Sequence, residues 1–242
     1  VLAAYPFGVY LGVGGRVLPV LAQDAVPLPT AVRVGPRAGG VDWGVAAGDE
    51  VTVGRGRVQL PGLDVRGVRT WRPPRVRVLR AASPAPTSAS RGSCWNHMQE
   101  PADGDRASAS RGSCDGWGAQ GWLADGISAL CTLVRSAPQR ARHPAPDGHD
   151  ALVAAAVAGL IGRGQGLTPS GDDALAGVLL VTHARGGEPA LAAAVRAQLA
   201  RTTAISAALL DAAAQGYASR IVVDLVDAAV TDRHEVVASL RP

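Results

Sequence analysis

Two patterns of hydrophobic positions divide the chain. Residues 1 to about 80 contain short runs of β-branched side chains separated by Gly or Pro, a pattern that predicts β-strands. From Gly121 onward, Ala and Leu recur with helical spacing, which predicts a series of helices joined by short connections. The sequence therefore predicts an α+β protein, in which a small N-terminal β-barrel or sandwich is followed by an α-helical bundle.

The boundaries of the elements follow from the same patterns. The predicted strands occupy residues 7–13, 16–22, 31–35, 49–54, 57–60 and 74–80. The predicted helices occupy residues 122–137, 148–162, 170–185, 188–201, 202–216 and 218–240. We therefore expect a β-rich domain over 1–81 and a helical domain over 121–242.

The segment 82–120 between the two predicted domains fits neither pattern. Ser, Ala, Gly, Arg and Pro dominate it, and the heptapeptide SASRGSC occurs twice, at 88–94 and at 108–114. Two copies at this spacing match no repeat architecture, and the segment offers no periodic apolar face to bury. We predict that it is a disordered or loosely packed linker or insertion.

Composition narrows the class of protein. The hydrophobic fraction of 47% is ordinary, and no apolar run approaches the ~20 residues of a membrane span. The N-terminus lacks the charged start of a signal peptide, so we expect a cytoplasmic protein with no membrane contact. The net charge of +4 comes with only 4% aromatic residues, too few stacking platforms to predict a nucleic-acid partner. Three cysteines without a CxxC motif argue against a zinc site or a disulfide framework.

The stretch GRGQGLTPSGDD, residues 162–173, lies between two predicted helices. One glycine suffices to end a helix, yet three alternating glycines precede the next one. This favours backbone amides turned towards a small anion, because glycine lets a backbone approach a ligand closely. The alternative is a tight helical junction, in which Ser170 caps the helix and Asp173 completes a capping box.

A longer string around this stretch, GLIGRGQGLTPSGDDALAGVLL, resembles the signature of a bacterial family of unknown function. That family includes the small subunit of the oxamate carbamoyltransferase of allantoin degradation. The string RTTAISAALLDAAAQGYA, residues 201–218, is similar to the Thr/Ser helix of the same family. The resemblance is strong over 148–218 and weaker over 1–80. It implies carbamoyl transfer involving oxamate, oxalurate, phosphate and carbamoyl phosphate, in a complex with larger partner subunits.

Substrates of this kind are small anions, which suit a helix N-terminus with inward-facing amides. Thr203 and Ser206 lie at i and i+3, so their hydroxyls would complete the site, unless they bond back to their own helix. Arg163 or Arg201 would clamp a carboxylate bidentately. The predicted substrate-binding residues are Arg163, Gly164, Gly166, Thr168, Ser170, Gly171, Arg201, Thr203 and Ser206.

Asp172 and Asp173 are the predicted catalytic residues, although two carboxylates repel an anion unless a cation intervenes. Three roles are open, and we favour the first. The carboxylates cap the helix, or they hold a Mg²⁺ ion that bridges to phosphate oxygens, or one of them is a general base on the carbamoyl nitrogen. No cofactor other than Mg²⁺ is expected. The histidines, among them His183, are expected to be surface or hydrogen-bonded residues rather than catalysts.

Two classes of function remain. The first is an enzyme subunit that contributes the glycine-rich loop to a site shared with partner subunits. The second is a non-catalytic scaffold or metabolite-sensing partner, in which the loop is only a helical junction. Members of the family continue beyond residues 218–240 into another Gly/Ser-rich segment, whereas this sequence stops at Pro242. A truncated, inactive copy is therefore a further expectation.

Overall fold

The computed structural model describes residues 1–79, 121–135 and 148–231. Strands precede helices along the chain, so the predicted α+β class is confirmed. The predicted linker 82–120 and its SASRGSC duplication lie outside the described residues, as does the chain after residue 231.

Two sheets make up the N-terminal part, and each contains a three-stranded antiparallel meander. The strands are β1 Ala3–Tyr5, β2 Gly8–Val13, β3 Arg16–Leu21, β4 Val32–Arg33, β5 Thr52–Gly54, β6 Arg57–Leu60 and β7 Leu63–Arg66. The first sheet has the order β1-β2-β3-β4, with β4 parallel to β3, and the second has the order β5-β6-β7.

Two tight turns set the register of these sheets. Gly14 and Gly15 join β2 to β3 with φ values of 55° and 76°, and Arg55 and Gly56 join β5 to β6 with φ values of 50° and 71°. Two consecutive residues with positive φ form the turn whose twist matches that of an antiparallel hairpin. The two-residue turns therefore fix the register of both hairpins.

The two sheets share one hydrophobic core. Val9, Leu11 and Val20 of the first sheet pack in the same cluster as Val58 and Leu60 of the second. In the described residues the sheets remain separate and do not close into one barrel. Of the two predicted architectures, a closed barrel is thus not observed.

Six α-helices follow in the described residues. They are α1 Gly121–Arg135, α2 His149–Leu160, α3 Ser170–Ala184, α4 Pro189–Ala197, α5 Ala204–Ala214 and α6 Arg220–Val230, with a 3₁₀ turn at Leu199–Arg201. Helix α3 is central, since it packs against α1, α2, α5 and α6 and buries Leu175, Leu179 and Leu180. The junction between α2 and α3 therefore sits at one end of the helical core.

The predicted strand at 74–80 is the main correction to the β part. Its described residues, 74–79, form no sheet strand, only an isolated bridge between Arg75 and Tyr217. The amide of Val76 donates to the Gly216 carbonyl at 2.9 Å, and the Val76 side chain is buried in the helical core. Pro74 has no amide hydrogen and cannot donate to a neighbouring strand of a sheet. This is one reason why the extended segment packs against the helices instead. Strands β1 and β7 were not predicted.

Candidate functional site

The loop between α2 and α3 has the backbone that its glycines predict. Gly162, Gly164 and Gly166 have φ values of 71°, 119° and 89°, in the left-handed region that residues with a Cβ avoid. Residues 163–168 of this loop are exposed to solvent. The loop thus leaves α2, projects from the helical core and returns at Ser170.

Two of the three glycines are also required by the protein's own packing. A Cβ on Gly162 would lie 2.3 Å from the carbonyl oxygen of Arg201, and one on Gly164 would lie 2.6 Å from the amide nitrogen of Ser170. A Cβ on Gly166 would meet nothing within 4 Å. The close approach that the sequence predicted is therefore made to neighbouring backbone at Gly162 and Gly164.

The prediction that Ser170 caps α3 is wrong. The helix begins at Ser170 itself, with Pro169 in the N-cap position and no side chain capping the helix. The carbonyl of Pro169 accepts from the amides of Asp172 at 2.8 Å and Asp173 at 3.2 Å. Ser170 packs instead beneath Gly164, since a Cβ there would lie 2.7 Å from its hydroxyl oxygen.

Asp172 is the most deeply buried charged group of the site, with 2% of its surface exposed. One carboxylate oxygen accepts from the amide of Gly162 at 2.8 Å, and the other accepts from the hydroxyl of Thr202. Both of these hydrogen bonds reach residues outside α3, although Asp172 lies in the first turn of that helix. The carboxylate joins the start of α3 to the start of the loop and to the residues that precede α5.

The hydroxyls of Thr203 and Ser206 do face the loop, as predicted. Both donate to the carbonyl oxygen of Leu167, at 2.6 Å and 3.4 Å respectively. Thr203 also caps α5, because its hydroxyl oxygen accepts from the amide of Ser206 at 3.0 Å. These hydroxyls thus hold the loop itself in place.

The orientation of two loop amides follows from these bonds. The carbonyl of Arg163 accepts from the amide of Gly171 at 2.9 Å, just as the Leu167 carbonyl accepts from α5. In a trans peptide the N–H points opposite to the C=O, and none of the described peptide bonds is cis. The N–H groups of Gly164 and Thr168 therefore point away from the helical core. Within the described ranges, the amides of residues 164–168 make no hydrogen bond.

Asp173 is exposed at the rim of a cavity of about 350 Å³. Asp172 and Ser206 line the cavity beside it, helices α3 and α5 supply most of its apolar helical wall, and Val26, Leu28 and Pro29 close it from the β part. Partial burial raises the pKa of Asp173, and the adjacent charge of Asp172 raises it further. This carboxyl therefore binds a proton more readily than an ordinary aspartate does.

Replacing Asp173 by Asn is expected to increase the free energy of unfolding at pH 7. A carboxyl with a raised folded-state pKa opposes folding once it ionises. The extra stability of the variant should therefore disappear near pH 3, below the ordinary aspartate pKa of 3.8, where the carboxyl is protonated in both states. Urea unfolding at both pH values measures the effect. Asp150→Asn is the control, since Asp150 also lies exposed in the first turn of a helix. The stability that this variant loses measures the helix-dipole contribution alone. Lower stability of Asp173→Asn at pH 7 would contradict the prediction.

Both arginines predicted as clamps lie near the loop but contact α2 or its neighbours. The guanidinium carbon of Arg163 lies 4.2 Å from the ring centroid of Trp122, and its Nη1 donates to the Gly159 carbonyl at 3.2 Å. Arg201 donates to the carbonyl of Ala158 at 3.1 Å. Their charges are thus placed beside the loop rather than against Asp172.

A metal site in this region has few protein ligands. In the part of the chain that the structure describes, no three His, Cys, Asp or Glu side chains are grouped to hold an ion. Asp172 and Asp173 offer two carboxylates, so a Mg²⁺ ion would need water and substrate oxygens to complete its octahedron.

Sequence reasoning missed two groups near the ends of α3. One is Thr202, whose partner Asp172 comes from another helix. The other is the environment of His183, whose buried Nε2 has no hydrogen-bond partner among the described residues. Its ring packs on Gly216, where a Cβ would lie 2.5 Å from Nε2. Burial lowers the pKa of His183, and the charge of Arg75 lowers it further.

The stability of the protein is expected to fall on acidification through His183. Because its folded-state pKa lies below the ordinary value of 6.5, its contribution to stability is present above pH 6.5 and lost as the pH falls below it. Melting temperatures at pH 7.5 and 5.5 should therefore differ more in the wild type than in His183→Leu. An equal difference in the two proteins would refute this role.

Comparison with known families supports the predicted resemblance. A family model described as oxamate carbamoyltransferase subunit AllH matches residues 160–241. The match begins at the last residue of α2 and includes the loop, α3, α4, α5 and α6. The resemblance is confirmed for this part of the chain. No solved structure matches the chain. None of the helices in the described ranges has the length and apolar character to cross a membrane.

Proposed function

We propose that this protein is a subunit of a carbamoyltransferase-type complex of allantoin degradation, and that its loop 162–169 binds a small anion. The ligand class is phosphate or a carboxylate, as in carbamoyl phosphate, oxamate and oxalurate. The proposal assigns the loop to a site shared with larger partner subunits. The family match supports it, because the matched residues 160–241 contain the whole loop.

One observation carries the proposal. The carbonyls of Arg163 and Leu167 are both held inward, so the N–H groups of Gly164 and Thr168 are directed out of the protein beside the N-terminus of α3. Backbone amides held in this way, with the positive end of a helix dipole, suit the oxygens of a small anion. Gly166 leaves open space over the loop, so a ligand can approach its backbone.

The side chains around the loop take different roles in this proposal. The hydroxyls of Thr168 and Ser170 are additional donors to the anion. Arg163 and Arg201 supply positive charge beside the loop, and Gly171 lets α3 approach α2 closely enough to place its N-terminus there. Thr203 and Ser206 hold the Leu167 carbonyl, so in this proposal they act on the ligand by fixing the loop.

The two aspartates divide their roles. Asp172 is buried and holds Gly162 and Thr202, so it positions the loop. Asp173 borders the cavity and has a raised pKa, which suits a general base that accepts a proton from an amide nitrogen of the substrate. A Mg²⁺ ion bound between these carboxylates and phosphate oxygens is the alternative role.

A specific observation also favours a second function, that of a non-catalytic scaffold or metabolite-sensing subunit. Gly162 and Gly164 are required by contacts with Arg201 and Ser170, and these contacts serve a tight helical junction whether or not a ligand binds. In this second function the loop only joins α2 to α3.

Calorimetric titration of the full chain with inorganic phosphate and with oxamate tests the proposal. Both anions should bind and compete for one site, and the double variant Thr168→Ala, Ser170→Ala should weaken binding about tenfold. In a carbamoyl transfer assay with the larger partner subunits present, Asp173→Asn should lower the rate about 100-fold while phosphate binding remains. Absence of binding together with an unchanged rate would favour the scaffold.

A further inference from the structure

Thr202 stands where three segments of the protein meet. Its hydroxyl donates to Asp172 of α3, while the amide of Gly162, at the start of the loop, donates to the other oxygen of the same carboxylate. The preceding carbonyl, that of Arg201, lies against Gly162 so closely that a Cβ there would be 2.3 Å away. A change at Thr202 is therefore transmitted to Gly162 through one carboxylate.

The charge of Asp172 makes this hydrogen bond strong. The side chain is 2% exposed, and among the described residues no Lys, Arg or His forms an ion pair with it. A buried carboxylate without a cation depends on the donors that reach it, and hydrogen bonds to a charged acceptor are stronger than those between neutral groups. The Thr202 hydroxyl is one of two such donors here.

The neighbouring threonine acts at the other end of the loop. Thr202 and Thr203 are both extended, with φ and ψ of −121° and −179° and of −66° and 152°. Successive side chains of an extended chain point to opposite sides, so the two hydroxyls reach different partners. Thr203 holds the Leu167 carbonyl near the end of the loop, whereas Thr202 acts on Gly162 at its start.

We propose that Thr202 is a positioning residue for the anion-binding loop, acting through Asp172. This inference rests on the proposed function, in which the loop 162–169 binds phosphate or a carboxylate. Thr202 keeps the carboxylate aligned with the Gly162 amide and so fixes where the loop leaves α2. Together with Thr203 it braces the loop at both ends, which presents the amides of Gly164 and Thr168 without motion of the loop on binding.

The test compares three variants of the full chain. Thr202→Val keeps the shape of the side chain and removes the hydroxyl, whereas Thr202→Ser keeps the hydroxyl. Thr182→Val is the control, because Thr182 is buried in α3 and its hydroxyl donates to the Leu179 carbonyl of its own helix. Phosphate affinity is measured by calorimetry, and amide hydrogen exchange is measured over residues 162–168, both well below the melting temperature.

The expected result is at least a tenfold loss of phosphate affinity in Thr202→Val, with affinities within twofold of wild type in Thr202→Ser and Thr182→Val. Exchange at the Gly162 amide should accelerate at least tenfold in Thr202→Val alone. Wild-type affinity and exchange in Thr202→Val would overturn the inference, as would equal losses in Thr202→Ser. If Thr202→Val does not fold, Thr202→Ser decides the matter through the same two measurements.

Failure of the proposed function gives a different result. In that case the wild type itself does not bind phosphate, and the exchange rate at Gly162 still shows whether Thr202 holds the loop. Accelerated exchange without phosphate binding would show that Thr202 only stabilises the helical junction. That result would overturn its role in positioning a ligand site.

Discussion

Gly171→Ala is expected to lower the free energy of unfolding by about 3 kcal/mol or more, the largest effect of any single methyl group added to this site. The new Cβ would lie 2.0 Å from the carbonyl oxygen of Leu160 and 3.1 Å from that of Arg163. Both atoms belong to backbone, so neither can turn aside as a flexible side chain would. Helices α2 and α3 would have to separate, and the bond between the Gly171 amide and the Arg163 carbonyl would stretch.

The same helix offers a matched control at Gly177. A Cβ there meets nothing within 4 Å, so Gly177→Ala is expected to stabilise the protein by about 0.5–1 kcal/mol through helix propensity alone. Urea denaturation of both variants measures the two effects. A destabilisation of similar size in both would show that close packing at Gly171 is not the cause.

Asp172→Ala is expected to cost about 3 kcal/mol of unfolding free energy, because it leaves two half-buried donors without an acceptor. These donors are the amide of Gly162 and the hydroxyl of Thr202. The entry to the loop should loosen, so phosphate binding should be lost as well. Chemical denaturation gives the stability, and calorimetry gives the affinity.

Asp172→Asn is the accompanying control, with an expected cost of about 1 kcal/mol. Its amide oxygen can still accept from Gly162, and the Thr202 hydroxyl can rotate to accept from the new NH₂ group. If Asp172→Ala proved as stable as the wild type, the carboxylate would not hold the junction together. An equal loss in Ala and Asn variants would instead indicate that the negative charge, rather than the hydrogen bonds, matters.

The helices were predicted well because each carries its own signal. Helices α2 and α3 have Ala/Leu spacing on either side of a run of glycines, and their observed bounds fall within two residues of the prediction. Strands β1 and β7 were missed because each is short and is defined by its pairing with a neighbouring strand. Residues 74–79 have the alternation of a strand, but their partners lie in the helices and in the connection between α5 and α6, which no local pattern reveals.

In the site, too, the features within one segment could be predicted, whereas contacts between distant segments could not. The glycine-rich loop and the facing hydroxyls of Thr203 and Ser206 were found from spacing within single segments. The contact of Gly162 with Arg201 and the bond of Asp172 to Thr202 join residues far apart in the sequence, so only the fold shows them. Ser170 matched the usual preference for a helix cap, but the extended Pro169 before it occupies that position.

The central claim is that the loop 162–169 binds a small anion through its outward-facing amides. The most direct test is a titration of the ¹⁵N-labelled protein with inorganic phosphate, followed by the amide signals of residues 164–168. The control is the turn at Gly14 and Gly15, whose residues are also exposed with positive φ. We predict saturable shifts at Gly164 and Thr168, absent at this turn and weakened in Asp172→Ala. Shifts that are linear in phosphate and no larger than those of the control turn would contradict the account.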